Sequence, residues 1–362
     1  MHIETGQRLY GGALQVRYLI EGLYNRRVSN ILICSKESSI AEYFKNSEYT
    51  EVLEVTCRGD IDIRLLWAIL SAIKRKQPDL IHVHSRRGAD IWGAIAARAA
   101  KIPSVITRRV DNPESRFAAK MKYGSFNKVV TISEGIRQVL ISQGVPEHHI
   151  ECVRSAIEIS EYGTKCDQEW FLSEFDLPEN SLIIGMVAQF IERKGHKYMV
   201  DAFKAIKEAY PNAFLIFFGQ GPLEQNIKSL VQQKGLEDNV IFAGFRKDLA
   251  RLLPCLDLLV HPALMEGLGV SLIQAAASGV PIVATKVGGI PEIVHHERNG
   301  LLVPPRDSKS LTEAVKHLLG DNRLRNRLGT EGRRLAQNEF SIDNMVEGNL
   351  NIYKQLLSQK VA

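Results

Sequence analysis

Short, almost wholly apolar runs alternate along this chain with longer stretches whose apolar positions recur every three or four residues. In the first half the runs at 30–34, 80–84, 104–107 and 128–132 read as strands, with a shorter one at 2–5 ahead of them. Between them, 12–24, 64–76, 89–100 and 133–143 carry the helical period. Strands with no polar face, separated by amphipathic helices, predict a parallel sheet covered on both sides. The pattern then restarts. Strands are expected at 182–188, 213–218, 240–243, 258–261, 281–284 and 300–303, and helices at 197–209, 222–233, 247–252, 269–278 and 308–319. A polar join with Gly163 interrupts the periodicity near 157–177, and 342–359 reads as a last amphipathic helix. The expectation is an α/β protein of two doubly wound Rossmann-like domains, 1–158 and 159–341. Ligands of such sheets bind outside the carboxyl ends of the strands, so function belongs in the loops that follow strands.

Composition narrows this further. The 362 residues, 45% hydrophobic and 24% charged, suit two ordinary globular cores. The most apolar stretch, 256–287, is broken by Pro262, Glu266, Gly267, Gly279 and Pro281, so no bilayer crossing is expected. The opening Met1-His2-Ile3-Glu4 lacks a secretory pattern. Cys34, Cys57, Cys152, Cys166 and Cys255 are scattered and never form a C-x-x-C pair. Neither a zinc site nor a disulfide framework is expected, and a reduced, cytoplasmic setting fits. Residues 1–150 hold 22 Lys and Arg against 15 Asp and Glu, whereas 151–362 hold 24 against 26. A basic first half suits an anionic partner, and it equally suits plain surface solubility.

The segment from His261 to Ala275 carries the densest chemistry. A strand ends at His261, Gly267 and Gly269 permit close backbone approach, and a helix follows. The unpaired N–H groups of its first turn, from Gly267, Leu268, Gly269 and Val270, form an anion site suited to a diphosphate. Glu266 and Gln274 flank that turn, and eight residues at 1.5 Å rise separate them by roughly 12 Å along the helix. Glu266 can accept from sugar hydroxyls and Gln274 can bond a ribose diol.

This segment resembles the signature of retaining glycosyltransferase family 4, a GT-B family: Glu-Gly-x-Gly, a second acid eight positions on, then Ala-x-Ala-x-Gly-x-Pro. Here Glu266, Gly267, Gly269, Ala275, Ala277, Gly279 and Pro281 follow it, with Gln274 in the second acidic place. The resemblance covers nearly the whole chain. It implies two domains facing across a cleft, with helix 342–359 packing back on the first. It also implies a turn at Gly219 after a strand, a base-reading loop at Phe245-Arg246, and a phosphate clamp at Gln189, Arg193 and Lys194. Gln189 stands where the family has Arg, so Lys194, and Arg193 if it turns inward, must supply the charge.

In the first half, Gly11-Gly12 opens a helix after the first strand and matches the family's glycine-pair loop near the donor. His82 and His84 share a strand face, and the resemblance places His84 near the transferred sugar. Arg86, Arg87, Arg108, Arg109 and Asp111 lie on successive loops after strands; guanidinium groups there suit an anionic acceptor, such as a lipid-linked glycan. Segment 116–123 is a helix that could also meet a membrane surface. Asp60-Ile61-Asp62 has the form of a metal motif of another fold, but ahead of a helix it reads as a cap.

The expected activity is transfer of a sugar from a nucleotide-diphosphate sugar with retained configuration, in lipopolysaccharide or surface-polysaccharide assembly. Glu266 and His84 are the catalytic candidates. No cofactor or essential metal is expected, because the helix terminus and Lys194 supply positive charge. The expected location is cytoplasmic, with peripheral contact at the inner membrane. Rival readings are a nucleotide-sugar epimerase of the same fold and a nucleotide-binding member with weak or no transfer. Nucleic acid is disfavoured, since no aromatics interleave with the arginines.

Overall fold

The structure is a computed structural model that describes all residues except Tyr10, Cys57, Arg58, Asp60, Ile61, Arg86, Arg87 and Ala362; of Lys360 and Val361 only the backbone is described. It divides into two compact units, one formed by Met1–Ala156 with Ile342–Ala362 and the other by Ile157–Ser341.

The first unit contains strands β1 (His2–Glu4), β2 (Ile31–Ser35), β3 (Glu51–Val55), β4 (Ile81–Val83), β5 (Ser104–Arg108), β6 (Lys128–Thr131) and β7 (Ile150–Cys152). Its helices are α1 (Gly12–Tyr24), α2 (Ser39–Phe44), α3 (Ile63–Lys76), α4 (Ala89–Ala100), α5 (Arg116–Tyr123) and α6 (Glu134–Ser142). The parallel sheet runs in the order β3-β2-β1-β4-β5-β6-β7. Ile3, Ile33, Ile81, Val83, Ile106 and Val129 are buried within it. Each fully buried aliphatic side chain contributes about 1.5–3 kcal/mol. Helix starts follow local chemistry: Ser38, Ser115 and Ser133 accept from the backbone N–H three residues on. Asp62 caps α3 through the Arg64 N–H, whereas Asp60 and Ile61 lie outside the described residues.

The second unit contains β8 (Leu182–Val187), β9 (Ala213–Phe218), β10 (Val240–Gly244), β11 (Leu258–His261), β12 (Ile282–Thr285) and β13 (Gly300–Val303). Its helices are α7 (Gln168–Glu174), α8 (His196–Ala209), α9 (Glu224–Gln233), α10 (Leu249–Leu252), α11 (Val270–Ala277), α12 (Ser308–Gly320) and α13 (Asn322–Glu339). The parallel order is β10-β9-β8-β11-β12-β13. A core built on Met186, Phe203, Leu215, Phe217, Val260 and Val283 lies between this sheet and its helices.

The last helix, α14 (Ile342–Val361), belongs to the first unit. Met345, Val346, Ile352, Tyr353 and Leu356 bury against Tyr18, Leu19 and Leu23 of α1. Gly22 makes the approach possible, because a Cβ there would overlap the Val346 side chain. Arg26 ties the same helix down through Glu347 and Asp343, at 2.6 and 2.9 Å.

One expectation about cysteine is corrected. Cys166 and Cys255 form a disulfide across 89 residues of sequence, with their Cα atoms 4.8 Å apart. Spacing alone carried no trace of it, since the partners meet only when the segment ahead of α7 folds onto the end of α10. Cys34 is buried as a free thiol, and burial pushes its pKa up to about 12. Among the described residues, no helix is long and apolar enough to cross a membrane.

Candidate functional site

Each sheet reverses its strand order once, between β1 and β4 in the first unit and between β8 and β11 in the second. The loops leaving those strands diverge there and open a crevice. Candidate residues from both halves of the sequence gather at these two points.

In the second unit the loop after β8 is clasped to the loop after β11. Gly195 has φ +73°, and a Cβ there would collide with the Pro262 carbonyl. The Leu264 N–H donates to the Arg193 carbonyl at 2.7 Å. Gly219, at φ +148°, lies against the Ala188 carbonyl and donates its N–H to the Gly244 carbonyl at 2.7 Å, which ties in the loops after β9 and β10. Thr285 Oγ1 donates to the Ala263 carbonyl at 2.5 Å. These contacts fix the path 262–269, in which Gly267, Leu268 and Gly269 are buried and Val270 is half-buried.

Gly269, at φ +100°, caps α11 without any side-chain cap; its carbonyl accepts from the Leu272 and Ile273 N–H groups at 2.9 and 3.3 Å. A helix start whose first N–H groups meet no capping side chain favours an anion. Because the helix begins only at Val270, Glu266 and Gln274 are not joined by eight helical rises. The helical path expected between them is corrected: Glu266 lies in the loop ahead of the helix, beside His261.

Glu266 is the centre of a buried group. Its Oε2 lies 2.8 Å from His261 Nε2 and accepts an ion-paired hydrogen bond from Lys194 Nζ. The Gly289 N–H donates to the Glu266 carbonyl at 3.1 Å. Burial favours the neutral carboxyl, but the His261 hydrogen bond and the Lys194 charge outweigh it and hold Glu266 well below the usual carboxylate range. Burial likewise lowers the pKa of His261, against the pull of Glu266. The group is therefore a carboxylate, a neutral imidazole and an ammonium. Lys194, read from the sequence as a phosphate clamp, is paired to the residue read as a sugar ligand. A diphosphate would compete with Glu266 for that ammonium. Arg193 is half-buried and its charge helps lower the His261 pKa, while Gln189 is exposed. Gln274 Nε2 donates to Tyr162 Oη at 2.6 Å, which leaves the amide oxygen as its acceptor. Phe245 is 53% exposed, and Arg246 is held by Asp248 and Glu174 at 2.5–2.8 Å.

In the first unit a cavity of about 730 Å³ opens at the carboxyl ends of the strands, lined by Glu4, Gly12, His84, Arg108, Arg109 and Lys122 among others. Gly11, at φ +56°, starts α1, and a Cβ on Gly12 would come within 3.2 Å of Arg109 Cδ. Arg109 has a buried Nε with no partner among the described residues. Burial lowers its pKa to about 10, against the opposing charge of Glu4. His84 lies over His82, with ring centroids 3.8 Å apart, and its Nε2 is 3.0 Å from His2 Nδ1. Asp111 is buried. Arg86 and Arg87 lie outside the described residues.

Arg108 departs from its expected role. Its guanidinium bonds the carbonyls of Val110 and Asn112, Tyr123 Oη and the Glu114 carboxylate. It braces the loop after β5 instead of presenting an open anion ligand. Several residues of these sites went unremarked in the sequence. Glu4, His2 and Asn30 sit in ordinary strand contexts, and Tyr162 lies 112 residues from Gln274. Only strand-end position could have drawn attention to Glu4.

Two family models match this chain: "Glycosyltransferase Family 4" over residues 10–161 and "Glycosyl transferases group 1" over 167–335. Together they mark this chain as a glycosyltransferase of the family 4 type. This glycosyltransferase shares the GT-B fold, with two parallel Rossmann-like sheets. It is 23% identical over 94% of its length to a UDP-Gal:alpha-D-GlcNAc-diphosphoundecaprenol alpha-1,3-galactosyltransferase of Escherichia coli, covering 92% of that enzyme. It is 28% identical, over 63% of its length, to an uncharacterized glycosyltransferase of Methanocaldococcus jannaschii, of which the match spans 60%. The crystal structure of Anabaena HepE in complex with UDP superposes with a TM-score of 0.86 at 19% identity, covering 98% of this chain and 99% of that one.

Proposed function

We propose that this glycosyltransferase moves a sugar from a nucleotide-diphosphate sugar, with retained anomeric configuration, to an anionic or lipid-linked glycan acceptor in surface-polysaccharide or lipopolysaccharide assembly. The observation that carries the donor half is the Lys194–Glu266–His261 group beside the uncapped start of α11. The diphosphate lies on the Gly267–Val270 backbone and draws Lys194 from Glu266. Glu266, released from one partner and still held by His261, then accepts from sugar hydroxyls. Gln274 takes the ribose, and Phe245-Arg246 borders the base. The UDP in the HepE complex and the diphosphoundecaprenol in the E. coli relative's name support this donor and acceptor chemistry.

As the donor bond breaks, the leaving diphosphate is stabilised by the helix start and the ammonium, and no metal is needed for that charge. The leaving phosphate takes the acceptor's proton on the front face, so no protein nucleophile is required. The acceptor occupies the cavity of the first unit, with Arg109 as its cation. Peripheral contact with the cytoplasmic face of a membrane is part of the same reading. Phe117 and Met121 of α5 are 78% and 60% exposed, and exposed Ile91 and Ile95 lie on α4, joined to α5 by the Asp90–Lys122 ion pair.

A thermal-shift screen of nucleoside diphosphates tests the donor site. One diphosphate stabilises the wild-type chain, and Lys194→Ala abolishes that shift. A shift unchanged by Lys194→Ala sinks the assignment. Turnover of donor without any acceptor would favour an epimerase, and binding without transfer to any glycan would favour a non-catalytic member.

A further inference from the structure

Three buried histidines, His2, His82 and His84, bring their ring nitrogens within 4.8 Å of one another. Their hydrogen bonds have a direction. Asn30 Nδ2 faces the carbonyls of Ile20, Val28 and Tyr49, at 3.2, 3.1 and 3.2 Å, so its orientation is set by three acceptors. Asn30 Oδ1 is therefore left to accept from His2 Nε2, 3.2 Å away. With its proton on Nε2, neutral His2 carries a lone pair on Nδ1. That lone pair accepts from His84 Nε2–H at 3.0 Å. The remaining nitrogen of His84, Nδ1, is then an acceptor, and it has no partner among the described residues. The His84 ring lines the 730 Å³ cavity beside Arg109. His82 is separately engaged, by Tyr353 Oη at 2.5 Å and Thr107 Oγ1 at 2.7 Å.

We propose that Asn30 and His2 are positioning residues that relay one tautomer to His84, fixing its proton on Nε2 and keeping Nδ1 as a hydrogen-bond acceptor for a hydroxyl of the bound carbohydrate. The carbohydrate part rests on the function proposed above; the relay does not. The arrangement is the protein-only counterpart of the second group that fixes a histidine's tautomer in a metal or acid–base site. Burial keeps the relay neutral, with the His2 pKa lowered to about 3 and that of His84 well below its ordinary value.

The test is a long-range ¹H–¹⁵N correlation on histidine-labelled full chain, with His84 assigned by its loss in His84→Gln. The wild type should show His84 protonated only on Nε2 between pH 6 and 8. Asn30→Leu should let His84 populate both tautomers although the two residues do not touch. His2→Phe should do the same and lower kcat about tenfold, with the diphosphate thermal shift unchanged. His2→Gln, whose amide oxygen can accept from His84, should restore the tautomer and most of kcat. Melting curves of each variant show whether it is folded. A wild-type His84 protonated on Nδ1, identical behaviour of His2→Phe and His2→Gln in folded protein, or stoichiometric zinc held by the three rings overturns the proposal. Normal transfer by His84→Ala alongside the expected tautomer shifts leaves the relay standing and removes the sugar from that cavity.

Discussion

The two crevices arise from the same topology and bury different groups: a closed ion pair in one, a neutral histidine stack in the other. At the β8/β11 crevice, a carboxylate and an ammonium are buried together, and Glu266 stays ionised because His261 and Lys194 surround it. At the β1/β4 crevice histidines held neutral lie beside the buried Glu4 and Arg108 and beside Arg109, whose Nε has no hydrogen-bond partner among the described residues. In the proposed function the charged pair exchanges one partner for a diphosphate, so the ammonium keeps an opposing charge and Glu266 keeps His261. A neutral, directional relay adds hydrogen-bond geometry beside the charges of Glu4 and Arg109. The difference teaches that a doubly wound sheet fixes where a ligand goes, while the residues on two short loops fix what kind of ligand it is.

The comparison can be broken most severely at Glu266. Glu266→Ala should lower transfer about 10²–10³-fold in a radiolabelled-donor assay, while the acceptor's KM stays put. Lys194→Ala should leave the buried Glu266 carboxylate with the His261 hydrogen bond but no opposing charge, and cost about 3 kcal/mol in urea unfolding of the second unit. Gly195→Ala follows, at about 2–3 kcal/mol, because φ +73° and the Pro262 carbonyl both oppose a Cβ. Reducing the Cys166–Cys255 bond should cost about 2–3 kcal/mol by releasing a long loop in the unfolded chain, read as a lower melting temperature in dithiothreitol.

Taken one pH unit at a time, acid is the mildest perturbation. A histidine whose folded pKa is depressed loses stability as pH falls below its unfolded value near 6.5, since only the unfolded chain takes up the proton. For His2 that loss runs from about pH 6.5 down to about 3. Removing it in His2→Phe should flatten the pH dependence of unfolding by about 1.4 kcal/mol per unit. Glu266 has the other sign: its contribution is complete above its unfolded pKa near 4.3 and is lost only in stronger acid.

Strand-and-helix alternation was plain wherever a strand is buried on both faces, as at Ala213–Phe218, Leu258–His261 and Gly300–Val303. Edge strands escaped. Glu51–Val55 interleaves two glutamates with its apolar residues and is half-exposed, and Ile150–Cys152 is only three residues long. Helix Asn322–Glu339 escaped as well, because it buries a stripe partly made of glycine and alanine, with Gly329 against the Gly279 carbonyl. The loop 262–269 was legible from its glycines. The Lys194–Glu266 pair, the His2–His84 contact and the disulfide were not, since each joins residues more than seventy positions apart.

One feature of the first unit governs the order in which a nascent chain can become competent. Tyr353, on the closing helix α14, is the partner of His82, and that helix also seals the face of α1. A ribosome therefore completes every residue of the second unit while the first still lacks a wall. His82 gains its Tyr353 neighbour only after every residue from 157 to 341 has been made. Synthesis of α14, rather than of the first sheet, marks the moment at which that histidine stack can close.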